Sequence, residues 1–339
     1  MKVQHRAGLL VCGALLAALT AAGQVASVPY TISTFATGVP GAYSKPDSIA
    51  VLGRYIYIGY GNNVSTTGAD GLSSTIVKYK MNGDIVTTYS VVGHNDGLRV
   101  NPKTKKLWAL QNEDANPNLV IIDPETGEQK VYTFGPTAHG GGYDDMAFQG
   151  DDVYISASNP ANNPNLSQAI VRAKIHGTKV DVTEVLNASA TAIDIPTDTP
   201  TMPLNLQDPD SMAFNQFGDL VLDSQADGEV IIVHHVGAAD QTVYHLGLSL
   251  NGASTQVDDT IFATSTHGVI LVSDRDAGSS GAGVVYAISK NIFSPGAAYT
   301  ATPNSVGALD FDTGVITNVV TGLVSPHGMT FIRDDRAGD

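Results

Sequence analysis

Residues 208–214 read DPDSMAF: an acid, a small residue, then alternating apolar positions. The phrase returns as KPDSIAV at 45–51, HNDGLRV at 94–100 and SPHGMTF at 325–331. Reduced to Asp, any residue, apolar, any residue, apolar, it starts at Asp47, Asp96, Asp144, Asp210 and Asp259. A sixth copy has His327 in the Asp place. The spacings are 49, 48, 66, 49 and 68 residues. One recurring period with insertions marks a repeat architecture.

Each copy is followed by a second alternating run, such as RYIYIGY, KLWALQN, DVYISAS, DLVLDSQ or GVILVSD. A third run follows, as in STIVKYK or EVIIVHH, and often a fourth after a Gly-containing turn, as in NGDIVTTYSVVG and TGVITNVVTG. Period-two runs of Val, Ile, Tyr and Thr between Gly, Asn and Asp turns read as strands. No stretch after residue 24 carries a helical period of useful length. Four short antiparallel strands per unit predict an all-β fold, a β-propeller of six four-stranded blades, with five blades as the alternative. The N-terminal PYTISTFATG resembles GVITNVVTG, which precedes the last copy. It is therefore expected to close the last blade, together with strands drawn from 308–320. The insertions at 187–207 and 289–305 read as loops over one face.

The first residues carry Lys2 and Arg6 ahead of an apolar run ending at Ala21-Ala22-Gly23. That pattern predicts a signal peptide over 1–23, with a single β-propeller domain over 24–339 and a secreted or periplasmic location. The single cysteine, Cys12, lies inside the signal, so the mature chain has no thiol for disulfides, thiolate metal sites or cysteine catalysis. The formal net charge is −15, and removal of Lys2 and Arg6 makes it −17. Without a Lys/Arg-rich run, nucleic acid is excluded as a partner. No membrane partner is expected after signal removal. The expected partner is a small-molecule ligand or substrate, and the expected state is a monomer.

In a propeller the first strand of each blade lines the central axis, so a residue at its start joins a ring at one channel mouth. This places Asp47, Asp96, Asp144, Asp210 and Asp259 in the ring as candidate metal ligands. Asp210 and His327 are the candidate catalytic groups, with His94, Asn95, His139, Asp145, Asp208 and Asp258 nearby. A purely structural role stands beside this reading, because Asp readily bonds the backbone of its own turn. Converging carboxylates raise one another's pKa unless a cation compensates. An oxygen-rich set favours Ca²⁺ or Mg²⁺, and the histidine would also admit Zn²⁺. Two to four of the six would bind one ion.

Other motifs are weaker. AHGGGYDD at 138–145 contains the HGGG of esterase oxyanion loops, but the chain has no GxSxG elbow, so it reads as an inter-blade loop. His234 and His235 point to opposite faces of a strand and read as surface residues. SDRDAGSSGAG at 273–283 fails the EF-hand spacing and reads as a loop near the channel mouth. Trp108 reads as core. Asn63, Asn165 and Asn187 begin glycosylation sequons, relevant in a eukaryotic secretory route.

Over most of residues 28–332 the chain resembles secreted six-bladed propellers of the NHL and SMP-30/gluconolactonase-like group. Units such as DPDSMAFNQFGDLVLDSQADGEVIIV carry the likeness. The resemblance implies a divalent metal at the channel mouth and a lactonase-like hydrolase activity. Lactonases of that group use a Glu from an early EGP turn, Asn side chains and an Asp. Here the early turn is KPDS, where Asp47 would stand in for the Glu, and Asn95 and Asp210 fall in compatible turns. SPHGM around His327 looks like the Pro-His-Gly turns of streptogramin lyases, which implies metal-assisted lyase chemistry as one alternative. A non-catalytic propeller binding a small molecule, glycan or protein is another, favoured by the polar 187–207 insertion.

Overall fold

The repeat becomes strands because each run has apolar residues on both of its faces. In Tyr55–Tyr60 (YIYIGY), Ile56 and Ile58 pack into one hydrophobic cluster and Tyr57 into another. A two-residue loop, Gly53-Arg54, joins this strand to Pro46–Leu52, and Gly53 takes φ +59°, a conformation favoured by glycine. The computed structural model describes residues 23–201 and 203–334; the signal expected over 1–23, Cys12 included, lies outside them except for Gly23. Within the described residues there is no α-helix, only strands and one 3₁₀ turn at Ser279–Gly281. None of them forms a helix long and apolar enough to cross a membrane.

The strands form a β-propeller, as the sequence predicts. Four antiparallel meanders follow one another, numbered here as blades I to IV. They begin with the inner strands Pro46–Leu52, Asn95–Val100, Met146–Gln149 and Pro209–Phe214. Blades II and III join at their outer edges through a short parallel pairing, Thr133 with Lys179. The remaining two sets, blades V and VI, exchange strands. The inner strand Thr260–Phe262 pairs with Ala298–Thr302, which continues into Ser305–Leu309 and Val315–Thr321. The intervening hairpin, Gly268–Asp274 with Val284–Ser289, crosses to pair with the C-terminal strand Pro326–Arg333. Thr31–Thr37 then completes that last sheet at its outer edge, so the N-terminal strand does close it. The expected recruitment of 308–320 is corrected: those residues belong to the neighbouring blade V.

Inner strands of successive blades touch in a closed circle, from I through VI and back to I. Six hydrophobic clusters sit one at each junction. Tyr57 with Leu107 marks the I–II junction, Leu110 with Ile155 II–III, and Tyr154 with Leu222 III–IV. Val221 with Ile316, Tyr299 with Val272, and Leu271 with Ile58 mark the other three. Burial falls outward within a blade: Tyr55–Tyr60 is covered on both faces, whereas the outer strand Ile85–Val92 is exposed at six of its eight positions. Trp108 is core, edge-to-face with Phe148 at 5.3 Å.

The two insertions are not loops over a face. Residues 187–207 form a hairpin, Ile193–Asp194 with Thr199–Pro200, that extends the outer edge of blade IV. Leu204 and Leu206 anchor it in the III–IV cluster. Segment 289–305 supplies the second strand of blade V. The Asn165 side chain is fully buried and donates to the Leu206 carbonyl, so the folded state does not present it for glycosylation.

Candidate metal centre

At one end of the channel, the beginnings of the inner strands meet loops following the second strands. They enclose a cavity of about 210 Å³ lined by Asp47, Asp96, Asp144, Asp210, Asp258 and His327, with Glu113, Asp208 and Arg275 among the further residues. Four of the five ring aspartates from the sequence, and His327, are therefore at the mouth. The fifth is corrected. Asp258, not Asp259, holds the ring position. Backbone bonds fix the register: Asp258 N donates to Ala301 O as Asp144 N donates to Ser156 O, which makes Asp259 the counterpart of Asp145. A strand sends adjacent side chains to opposite sides, so a one-residue slip moves the carboxylate out of the ring.

Asp145, which also lines the mouth cavity, and Asp259, which does not, both lie beside Arg99, which lines the channel beyond the mouth. Arg99 Nη2 lies 2.5 Å from Asp145 Oδ2 and 3.8 Å from Asp259 Oδ1. The Met212 and Met329 amides donate to Asp145 and Asp259 at 3.0 and 2.6 Å, tying neighbouring inner strands together.

The mouth has two electrical ends. At the acid end, Asp96, Glu113 and Asp144 each offer an oxygen, and the three oxygens lie within 4.8 Å of one another. Burial, then the charge of Asp96, pushes Glu113 well above the usual carboxylate range. Burial, then Asp210, does the same to Asp144. Asp210 is raised by burial and by Asp258. Asp96 goes the other way: burial opposes ionisation, but its hydrogen bond with Glu113 and the charges of His94, Arg275 and His327 outweigh it.

At the other end stand Arg275 and His327. Arg275 Nη1 lies 3.4 Å from Asp47 Oδ2 and 3.5 Å from His327 Nε2. His327 Nδ1 is 2.9 Å from the Ser325 carbonyl, which can only accept, so Nδ1 carries a proton and Nε2 faces the cavity. Asp258 Oδ2 is 3.7 Å from that Nε2. Burial works against the imidazolium, but Asp258 and Asp47 outweigh it and the His327 pKa is raised. Burial pushes Asp258 up to about 8, against the pull of His327.

Two contributors were missed in the sequence. Glu113 follows the second strand of blade II and Arg275 that of blade VI, in loops with no shared spacing. The loop at 273–283 does lie near the mouth, and its contribution is Arg275. The HGGG segment has a structural role. His139 Nε2 bonds the Gly142 carbonyl at 2.6 Å, and a Cβ on Gly142 would stand 2.2 Å from the Glu113 carbonyl oxygen. This close approach seats Glu113. His94 lies behind it, with Nδ1 bonded to Val64 O and Nε2 3.8 Å from Glu113 Oε2. Asn95 is fully buried and spends its amide on the Leu110 carbonyl, so it does not reach the cavity. His234 and His235 pair with Asp219 and Asp240 away from the mouth.

No protein-family model and no curated protein matches the chain. Similar solved structures include virginiamycin B lyase from Staphylococcus aureus, at 11% identity, 88% of both chains and TM-score 0.47. The periplasmic gluconolactonase of Pseudomonas aeruginosa matches at 12% identity over 89% of this chain and 99% of that chain, TM-score 0.46. A Bacteroides caccae protein of unknown function matches at 8% identity, 87% of this chain and 88% of that chain, TM-score 0.48.

Proposed function

We propose that this is an exported propeller whose channel mouth holds a divalent cation on Asp96, Glu113 and Asp144, and that it acts as a metal-dependent hydrolase of the lactonase type. The carrying observation is the convergence of three carboxylate oxygens within 4.8 Å, two of them on carboxyls pushed well above their usual pKa. The donor set fits a hard cation. All three ligands are oxygens, His327 is not among them, and Glu113 Oε2 is buried without a hydrogen-bond partner. That chemistry favours Ca²⁺ or Mg²⁺ over Zn²⁺, with waters filling the shell.

When bound, the cation would act as a Lewis acid on a substrate carbonyl oxygen. The chain's own residues would do the rest. His327 Nε2, held in one tautomer by Ser325, would take the proton from an attacking water. Asp258, when ionised, would stabilise the resulting imidazolium, and Arg275 would face negative charge developing on the substrate. A lyase abstracting a carbon-bound proton would use the same base, so a substrate panel must contain both ester-type and elimination substrates.

The test is calorimetric titration of chelator-treated protein with Ca²⁺ and Mg²⁺, followed by assay on lactones. One cation per chain is expected, with affinity roughly tenfold or more weaker in Glu113→Gln and Asp144→Asn. His327→Ala should bind the cation and lose turnover. No binding at millimolar Ca²⁺ or Mg²⁺ would sink the metal site, and binding without metal-dependent turnover of any substrate would sink the hydrolase.

A further inference from the structure

The last apolar position of the repeat has no part in the mouth. Four residues beyond each ring position stand Val51, Val100, Phe148, Phe214, Phe262 and Phe331. These six line a second cavity of about 450 Å³ in the same channel, on the far side of Arg99. The phenylalanines are half-buried, and each has an aromatic ring packed against it within its own or the adjoining blade. Trp108 backs Phe148, Tyr154 backs Phe214, Phe311 backs Phe262 and Phe293 backs Phe331, at centroid distances of 5.1 to 6.1 Å. Rings held in this way keep their positions without a ligand, so little ordering cost remains for binding.

We propose that this cavity is a second binding site, for a neutral aromatic or apolar small molecule, closed off from the acidic mouth by the Arg99–Asp145–Asp259 layer. Its volume falls in the range of roughly 300–1,000 Å³ typical of small-molecule sites, and it is open to solvent, so a ligand can enter without the fold opening. Charge selects the ligand class. Arg99 is the one charged lining residue among those described. It repels a cation, and its two carboxylate partners already occupy it against an anion. The site is independent of the metal reading, because none of Asp96, Glu113 and Asp144 lines it.

The probe is N-phenyl-1-naphthylamine, a neutral dye that brightens in apolar surroundings, titrated into the full chain. Saturable binding at one site is expected. Val51→Trp, which fills the cavity from blade I, should weaken it by about tenfold or more, and so should Phe214→Ser combined with Phe331→Ser. Asp144→Asn should leave it within about twofold, and the anionic 1-anilinonaphthalene-8-sulfonate should bind about tenfold more weakly. A wild-type crystal soaked in 1-bromonaphthalene should place bromine inside the six-residue ring, a result that needs no variant to fold. No saturable binding, unchanged affinity in folded Val51→Trp, equal affinity for the anion, or bromine elsewhere would each overturn the proposal.

Discussion

Replacing Arg99 by Met is expected to cost about 3–5 kcal/mol of stability at neutral pH. The guanidinium lies 2.5 Å from Asp145 and 3.8 Å from Asp259, and its own side chain is only 20% exposed. At an effective dielectric constant of about 20, those distances give roughly 7 and 4 kcal/mol of gross attraction. Desolvation takes back much of that, and removing one member of such a buried pair typically costs about 3–5 kcal/mol. Against a domain stability of roughly 5–15 kcal/mol, the loss is large. The deficit should shrink in acid. Burial, eased by Arg99, already lifts Asp259 to about 6. A carboxyl raised in the folded state takes up its proton there before the unfolded chain does, so lowering pH from about 7 towards 4 favours the fold. Without Arg99 that uptake begins at still higher pH. Denaturant melts with chelator at pH 7.5 and 5 measure both effects. Adding Asp145→Asn and Asp259→Asn to the variant should restore much of the loss at pH 7.5. Stability within about 1 kcal/mol of wild type in Arg99→Met at pH 7.5, or no recovery on neutralising the partners, would refute the account of this layer as a compensated ion group.

Gly142→Ala should displace the loop that carries Glu113, costing about 1–3 kcal/mol from overpacking and weakening Ca²⁺ binding in the calorimeter; unchanged affinity would mean that Gly142 does not seat Glu113. His245 ties the edge hairpin to blade IV, with Nε2 2.8 Å from Glu229 and Nδ1 3.1 Å from Asp194. Chiefly the bond to Glu229, then that to Asp194, raises its pKa. The contribution is fully present below about 6.5 and is lost as pH rises through the higher folded value. Hydrogen exchange at 193–200, corrected for intrinsic rate, should therefore show less protection at pH 9 than at pH 6, and His245→Gln should abolish that difference. A chain beginning at Gly38 lacks the outer strand of blade VI and bares the edge of Val284–Ser289; calorimetry should show it without the cooperative transition of the longer chain, and an intact transition would show that the closure is dispensable. Cation binding at the mouth should raise the melting temperature, by about 2.7 kcal/mol of stabilisation at a hundredfold excess over Kd, and Glu113→Gln should cancel the gain.

The sequence by itself determined the strands and the circle. DSIAV, DGLRV, DDMAF and DSMAF carry a period of two and a longer period between copies, and both are properties of the chain that neighbouring packing only reinforces. Even the slip at Asp259 had a signal, since DDTIF at 258–262 aligns with DDMAF at 144–148 once the closing Phe is counted. Tertiary structure alone decided the rest. Nothing local tells the hairpin at 268–289 to leave blade V for blade VI, because both blades offer an apolar edge of the same kind. Nothing local brings Glu113 to Asp144 or Arg275 to His327, because those loops meet only when the circle closes. Spacing along a chain reports the geometry of one strand; a carboxylate cluster is set by distances across the axis, and those exist only in the assembled ring.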